Sequence, residues 1–118
     1  MTADATRRRA TESECQRTII DAAGLAGWMC HAERPAVRQS GRWSTPIAGH
    51  PGFPDLVLVH PARGILTFVE LKRRPNKVEP AQARWHGALA AIGADVRVWY
   101  VPDDLDEILQ FLTRGARP

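Results

Sequence analysis

Apolar residues along the chain follow two periods. Cys15, Ile19, Ala22, Ala23 and Ala26 recur at helical spacing, which predicts a first helix ending at about Ala26, before Gly27. Thr11 with Glu14 three residues on has the form of a capping box. Trp28 to His31 reads as a short strand. Leu56-Val57-Leu58-Val59 and Ile65-Leu66-Thr67-Phe68 flank a Pro61-Ala62-Arg63-Gly64 turn, the pattern of an antiparallel hairpin. In its second strand Ile65, Thr67, Val69 and Leu71 face one way and Leu66, Phe68, Glu70 and Lys72 the other. Both faces are largely apolar, so a central strand covered on two sides is expected. Glu79-Pro80 opens a second helix with Ala81, Trp85, Ala88, Leu89 and Ile92 as its core stripe and Gly93 as its end. Val96, Val98 and Tyr100 alternate with Arg97, Trp99 and Val101 in a fourth strand. A last helix follows Pro102-Asp103-Asp104, with Ile108, Leu109, Phe111 and Leu112 packing inward. The order αβββαβα describes an α/β domain: a mixed four-stranded sheet flanked by helices.

Two stretches break the periodicity. Residues 1–10 are polar, with Arg7-Arg8-Arg9 in a row, and read as a flexible basic tail. Residues 33–51 form a long segment rich in Pro, Ser and Gly, with Arg34, Arg38 and Arg42 every four residues around Trp43. Loops of that length inside a compact domain are usually functional or disordered. This one is expected to hold phosphates through its arginines while Trp43 stacks on a base. Residues 11–118 then make one domain, large enough for a modest core.

Composition narrows the class. Net charge is +3, and fourteen of the sixteen basic residues are arginine, which suits a polyanionic partner. No stretch approaches the length of a membrane span, and no apolar signal core follows the early arginines. Cys15 and Cys30 are far apart and lack zinc-ligand spacing, which fits a reducing, cytoplasmic setting. The acidic residues Asp103, Asp104, Asp106 and Glu107 need only the dipole of the helix they begin, and no chemistry is assigned to them.

Candidate chemistry lies at the end of the hairpin. If His60 and Ile65 close the turn, Asp55 stands opposite Glu70, with Cβ atoms about 4.5–5.5 Å apart. Lys72, two residues beyond, projects from the same face. Two adjacent carboxylates repel unless one takes a proton or a cation joins them, and hard oxygen donors suit magnesium. A surface ion pair explains any one of these residues; all three in register point to a metal site. Arg73, Arg74 and Lys77 follow at once as a basic turn suited to phosphate.

Pro54-Asp55 followed by Glu70-x-Lys72 resembles the PD-(D/E)XK nuclease signature. Gly52-Phe53-Pro54-Asp55-Leu56, Phe68-Val69-Glu70-Leu71-Lys72, Gln82-x-x-Trp85 and Gly93-Ala94-x-Val96-x-Val98-Trp99 together resemble its virus-type replication-repair nuclease (VRR-NUC) branch, from about Glu12 to about Leu112. The resemblance implies a restriction-endonuclease-like core and a metal-dependent DNA endonuclease. Asp55, Glu70 and the Leu71 carbonyl would hold Mg2+ or Mn2+, Lys72 would position the attacking water, and Gln82 would orient phosphate or water. It also implies a first-helix glutamate near the metal. Glu12 lies beside the apolar stripe and matches best, with Glu14 the alternative. By analogy the protein is expected to be a homodimer acting on branched DNA such as Holliday junctions. A DNA-binding module without catalysis, or an RNA nuclease, is the alternative function.

Overall fold

In a computed structural model, residues 10–32, 36–37, 43–44 and 48–114 are described. Helix α1 spans Glu12–Leu25. Thr11 Oγ1 accepts the Glu14 N–H at 3.0 Å, and the Glu14 carboxylate accepts the Thr11 N–H at 3.3 Å, which closes the expected capping box. Thr11→Ala removes that cap and is expected to cost about 1 kcal/mol, read as a few degrees of melting temperature in a thermal unfolding scan. Strand β1 is Met29–Ala32, and two short strands follow, β2 (Ala36–Val37) and β3 (Trp43–Ser44). These two pair antiparallel with each other, so the segment expected to be irregular contains a small ribbon.

The hairpin is strands β4 (Leu56–His60) and β5 (Ile65–Lys72), joined by a single 3-10 turn over Pro61–Arg63. Gly64 closes the turn in the left-handed region at φ 66°, where a side chain is unfavourable. Its register runs from His60 opposite Ile65 to Leu56 opposite Val69, as expected. Helix α2 (Pro80–Ala91) carries the chain over to β6 (Asp95–Tyr100), and α3 (Leu105–Arg114) ends the fold. The sheet order is β1-β4-β5-β6, antiparallel except for the β5–β6 pair, so β5 is internal. The result is the mixed four-stranded sheet with three helices that the pattern implied.

Side chains alternate across this sheet, and its two faces have different fates. Leu56, Leu58, Thr67, Val69, Leu71 and Trp99 point to one face, where they are buried with Cys15, Ile19 and Ala23 of α1 and Ile108 and Leu112 of α3. Each fully buried aliphatic side chain there contributes roughly 1.5–3 kcal/mol. Trp28 joins this core, donating its indole N–H to the Leu112 carbonyl at 2.9 Å.

The other face differs from expectation. Glu70 and Lys72 are buried, but Leu66 is 48% exposed and Met29 68% exposed, in one row with Val59. Strand β5 is therefore covered on both sides only toward its C-terminal end. The expected core stripe of α2 is also corrected: no residue of α2 is buried, and Ile92, just beyond it, is 81% exposed. The helix lies over the end of the sheet on Gln82, Trp85, His86 and Leu89, which are half-buried. Helical spacing alone does not say how much sheet a helix finds beneath it.

Candidate active site

The hairpin register sets Asp55 one step beyond Leu56↔Val69, across from Glu70. Asp55 is held there by its own carboxylate, whose Oδ2 accepts the Leu71 N–H at 2.8 Å. Phe53 keeps the approach to Asp55 in place, with edge-to-face contacts to Phe68 at 5.9 Å and Trp85 at 5.0 Å. The Trp85 indole N–H donates to the His50 carbonyl at 3.2 Å. Gly52 lets the chain pass close under α2. Its φ is +94°, and a Cβ there would lie 2.5 Å from the Ala81 carbonyl.

Glu70 is only 1% exposed. Its pKa is pushed up to about 9, first by burial, then by a hydrogen bond to the Asp55 carboxyl and by Asp55's charge, with Lys72 opposing. Glu70 reaches Asp55 that way only as an acid, because two carboxylates have no proton to share. Glu70 Oε2 accepts the Gln82 amide N–H at 3.0 Å, whereas Oε1 is buried with no hydrogen-bond partner among the described residues. A buried carboxyl held away from its ordinary state, with an unpartnered oxygen and a second carboxylate beside it, fits a divalent cation. The donors available, Asp55, Glu70 and the Leu71 carbonyl, are hard oxygens of the kind magnesium and manganese take. Among the described residues no three His, Cys, Asp or Glu side chains form a ready-made cluster, so main-chain and water oxygens would complete such a site.

The first helix brings Glu12 toward this site and not Glu14. Glu12 sits on the exposed first turn, yet partial burial and then the Asp55 charge raise its pKa, while Lys72 and Arg73 pull it down. Glu14 is occupied by the cap. Gln82 is tethered at both ends of its amide: the oxygen accepts the Glu79 N–H at 2.9 Å, at the start of α2, and the nitrogen donates to Glu70. Its amide is thus turned onto the carboxylate, where the resemblance implied phosphate or water.

His86 is a residue of the site that sequence reasoning missed. One turn after Gln82, it is 15% exposed, with Nε2 at 3.5 Å from Glu70 Oε1. Burial and the nearby Lys72 lower its pKa, with Asp55 opposing. The i, i+4 spacing of Gln82 and His86 was a readable signal, because both side chains must leave α2 on one face.

The basic residues divide. Arg74 is engaged with Asp103 at 2.9 Å and lies over the Tyr100 ring at 4.1 Å. Arg73 donates to the Ala10 carbonyl, tying the basic turn to the start of α1. Both therefore also have structural roles beside the one expected toward phosphate. Lys77 is exposed in the same turn. Arg7 to Arg9, Arg34, Arg38 and Arg42 lie outside the described residues, as does the side chain of Trp43.

Comparison with known proteins converges on the same region. The family model described as the VRR-NUC domain matches residues 47–103, which include Asp55, Glu70, Lys72, Gln82 and His86. A solved structure described as a VRR_NUC domain is similar over 86% of this chain and 97% of its own, with 27% sequence identity and a TM-score of 0.60. No curated protein sequence matches the chain.

Proposed function

The chain carries a VRR-NUC domain, a nuclease-type fold, and from that premise we propose that it is a metal-dependent nuclease hydrolysing phosphodiesters in DNA. The observation that carries this reading is the buried Glu70 carboxyl beside Asp55, with one oxygen unpartnered and Lys72 on the same face. Magnesium or manganese, held by Asp55, Glu70 and the Leu71 carbonyl with Glu12 completing the surroundings, would acidify a water and offset phosphate charge. The chain's residues supply the rest. Asp55 stays oriented through the Leu71 N–H, and Gln82 holds Glu70 from the opposite side. The Lys72 ammonium, 9% exposed at the strand end, orients the water and stabilises negative charge developing on the phosphate.

Branched DNA such as a Holliday junction is the substrate we favour. Such DNA offers unpaired or unstacked bases, and an apolar concavity of about 190 Å3 lies on α2 between His50, Arg84, Trp85 and Ala88. An arginine beside an aromatic ring is the chemistry that receives a stacked base. A homodimer is supported by the open sheet face around Met29, Val59 and Leu66, which a second copy would cover. No helix among the described residues is long and apolar enough to cross a membrane, and work on DNA is consistent with a cytoplasmic protein.

The test compares wild type with Lys72→Ala on labelled linear, flapped and four-way-junction DNA, each with magnesium, manganese or chelator. Metal-dependent cleavage is expected in wild type, greatest on the branched members, and reduced at least roughly 100-fold in the variant. Junction binding without cleavage in either protein would replace this reading with a DNA-binding module.

A further inference from the structure

Glu70 must be ionised to hold a cation, and a buried carboxylate is oriented and stabilised by donors to its oxygens. Only one is provided for: Gln82 donates to Oε2 at 3.0 Å. Among the described residues Oε1 has no donor, and the buried nitrogen facing it, His86 Nε2, has no hydrogen-bond partner either. Their separation of 3.5 Å is beyond a normal N–H···O bond, which closes at about 2.7–3.2 Å. Two unpartnered buried atoms that complement one another, a few tenths of an ångström short of bonding, are an unfinished contact. Gln82 and His86 leave the same face of α2 one turn apart, so one rigid element presents a donor to each oxygen.

On the reading of the site as a metal centre, we propose that His86 is a positioning residue for Glu70: its Nε2–H closes onto Oε1 when the carboxylate carries a divalent cation. With Gln82 on Oε2, this clamps the carboxylate plane. Each oxygen keeps a lone pair for the ion. His86 touches neither the ion nor the substrate; it acts through Glu70. Removing a donor that orients a metal-ligating group typically weakens metal binding 10- to 100-fold.

The test titrates the full chain with Mn2+ alone, by calorimetry and by the loss of the free-Mn2+ electron paramagnetic resonance signal. Wild type, His86→Leu, His86→Gln and Asp55→Asn are compared, with melting temperature in chelator as the control for folding. His86→Leu keeps the bulk without the donor and is expected to bind Mn2+ about 10- to 100-fold more weakly at an unchanged or higher melting temperature. His86→Gln, whose amide nitrogen reaches about as far as Nε2, is expected to recover binding to within about threefold of wild type. His86→Ala takes the place of the leucine variant should that one not fold. Binding by His86→Leu within threefold of wild type, or no recovery in His86→Gln, overturns the positioning role while leaving the nuclease reading intact. Wild type that takes up no Mn2+, or takes it up as well as Asp55→Asn does, overturns both.

Discussion

Glu70→Gln is expected to make the protein more stable in chelator and inactive in magnesium. Burial and Asp55 push the Glu70 pKa from 4.5 to about 9, so without metal the folded protein holds a neutral acid at pH 7. The unfolded chain ionises that group near 4.5. Between these values the folded state binds more protons, so the contribution is fully present below pH 4.5 and is lost as pH rises through 9. An amide has the shape of the neutral acid and no titration. It also keeps the contact with Gln82 through its oxygen. The variant's advantage at pH 7 is on the order of 3 kcal/mol, roughly 10 °C of melting temperature, and it widens toward pH 9. Melting curves of both proteins in chelator from pH 5 to 9 measure this directly. Parallel curves, with no widening gap, would show that Glu70 is not held as an acid. Cleavage is lost because an amide is a poor ligand for a hard cation. The site keeps a stability cost for the sake of the metal.

Gly52→Ala is the substitution expected to do most damage to the fold. At φ +94° any other residue is strained by about 1–3 kcal/mol. Its Cβ would also stand 2.5 Å from both the carbonyl carbon and oxygen of Ala81 and 2.8 Å from the Gln82 nitrogen, all backbone atoms. Backbone cannot turn aside as a side-chain tip does, so the start of α2 must move. Gln82 and His86 move with it, away from Glu70. A loss of at least about 3 kcal/mol, or roughly 10 °C of melting temperature, follows, together with loss of Mn2+ binding in whatever remains folded. A melting point within a few degrees of wild type would mean that α2 does not sit on Gly52 as described.

The residue pattern alone specified the main helices, the four-stranded sheet, the hairpin register and the meeting of Asp55, Glu70 and Lys72, but not the β2–β3 ribbon. Strand alternation and turn length are local rules, and together they fix which side chains stand opposite one another. The Thr11–Glu14 cap is equally local, and by engaging Glu14 it leaves Glu12 as the first-turn carboxylate turned toward the site.

What α2 does was decided only in three dimensions. Its spacing offered Ala81, Trp85, Ala88, Leu89 and Ile92 as a core, but the sheet beneath it supports only the turns bearing Gln82, Trp85, His86 and Leu89. That docking turns the Gln82 amide onto one Glu70 oxygen and brings His86 toward the other. Gly52 makes the docking possible, through a backbone approach that no periodicity records. The pairing of Arg74 with Asp103 across 29 positions is likewise a long-range event. Periodicity specifies which way a side chain points along its own element. Which partner waits there depends on how elements pack, and at this site that packing sets the charge state of Glu70.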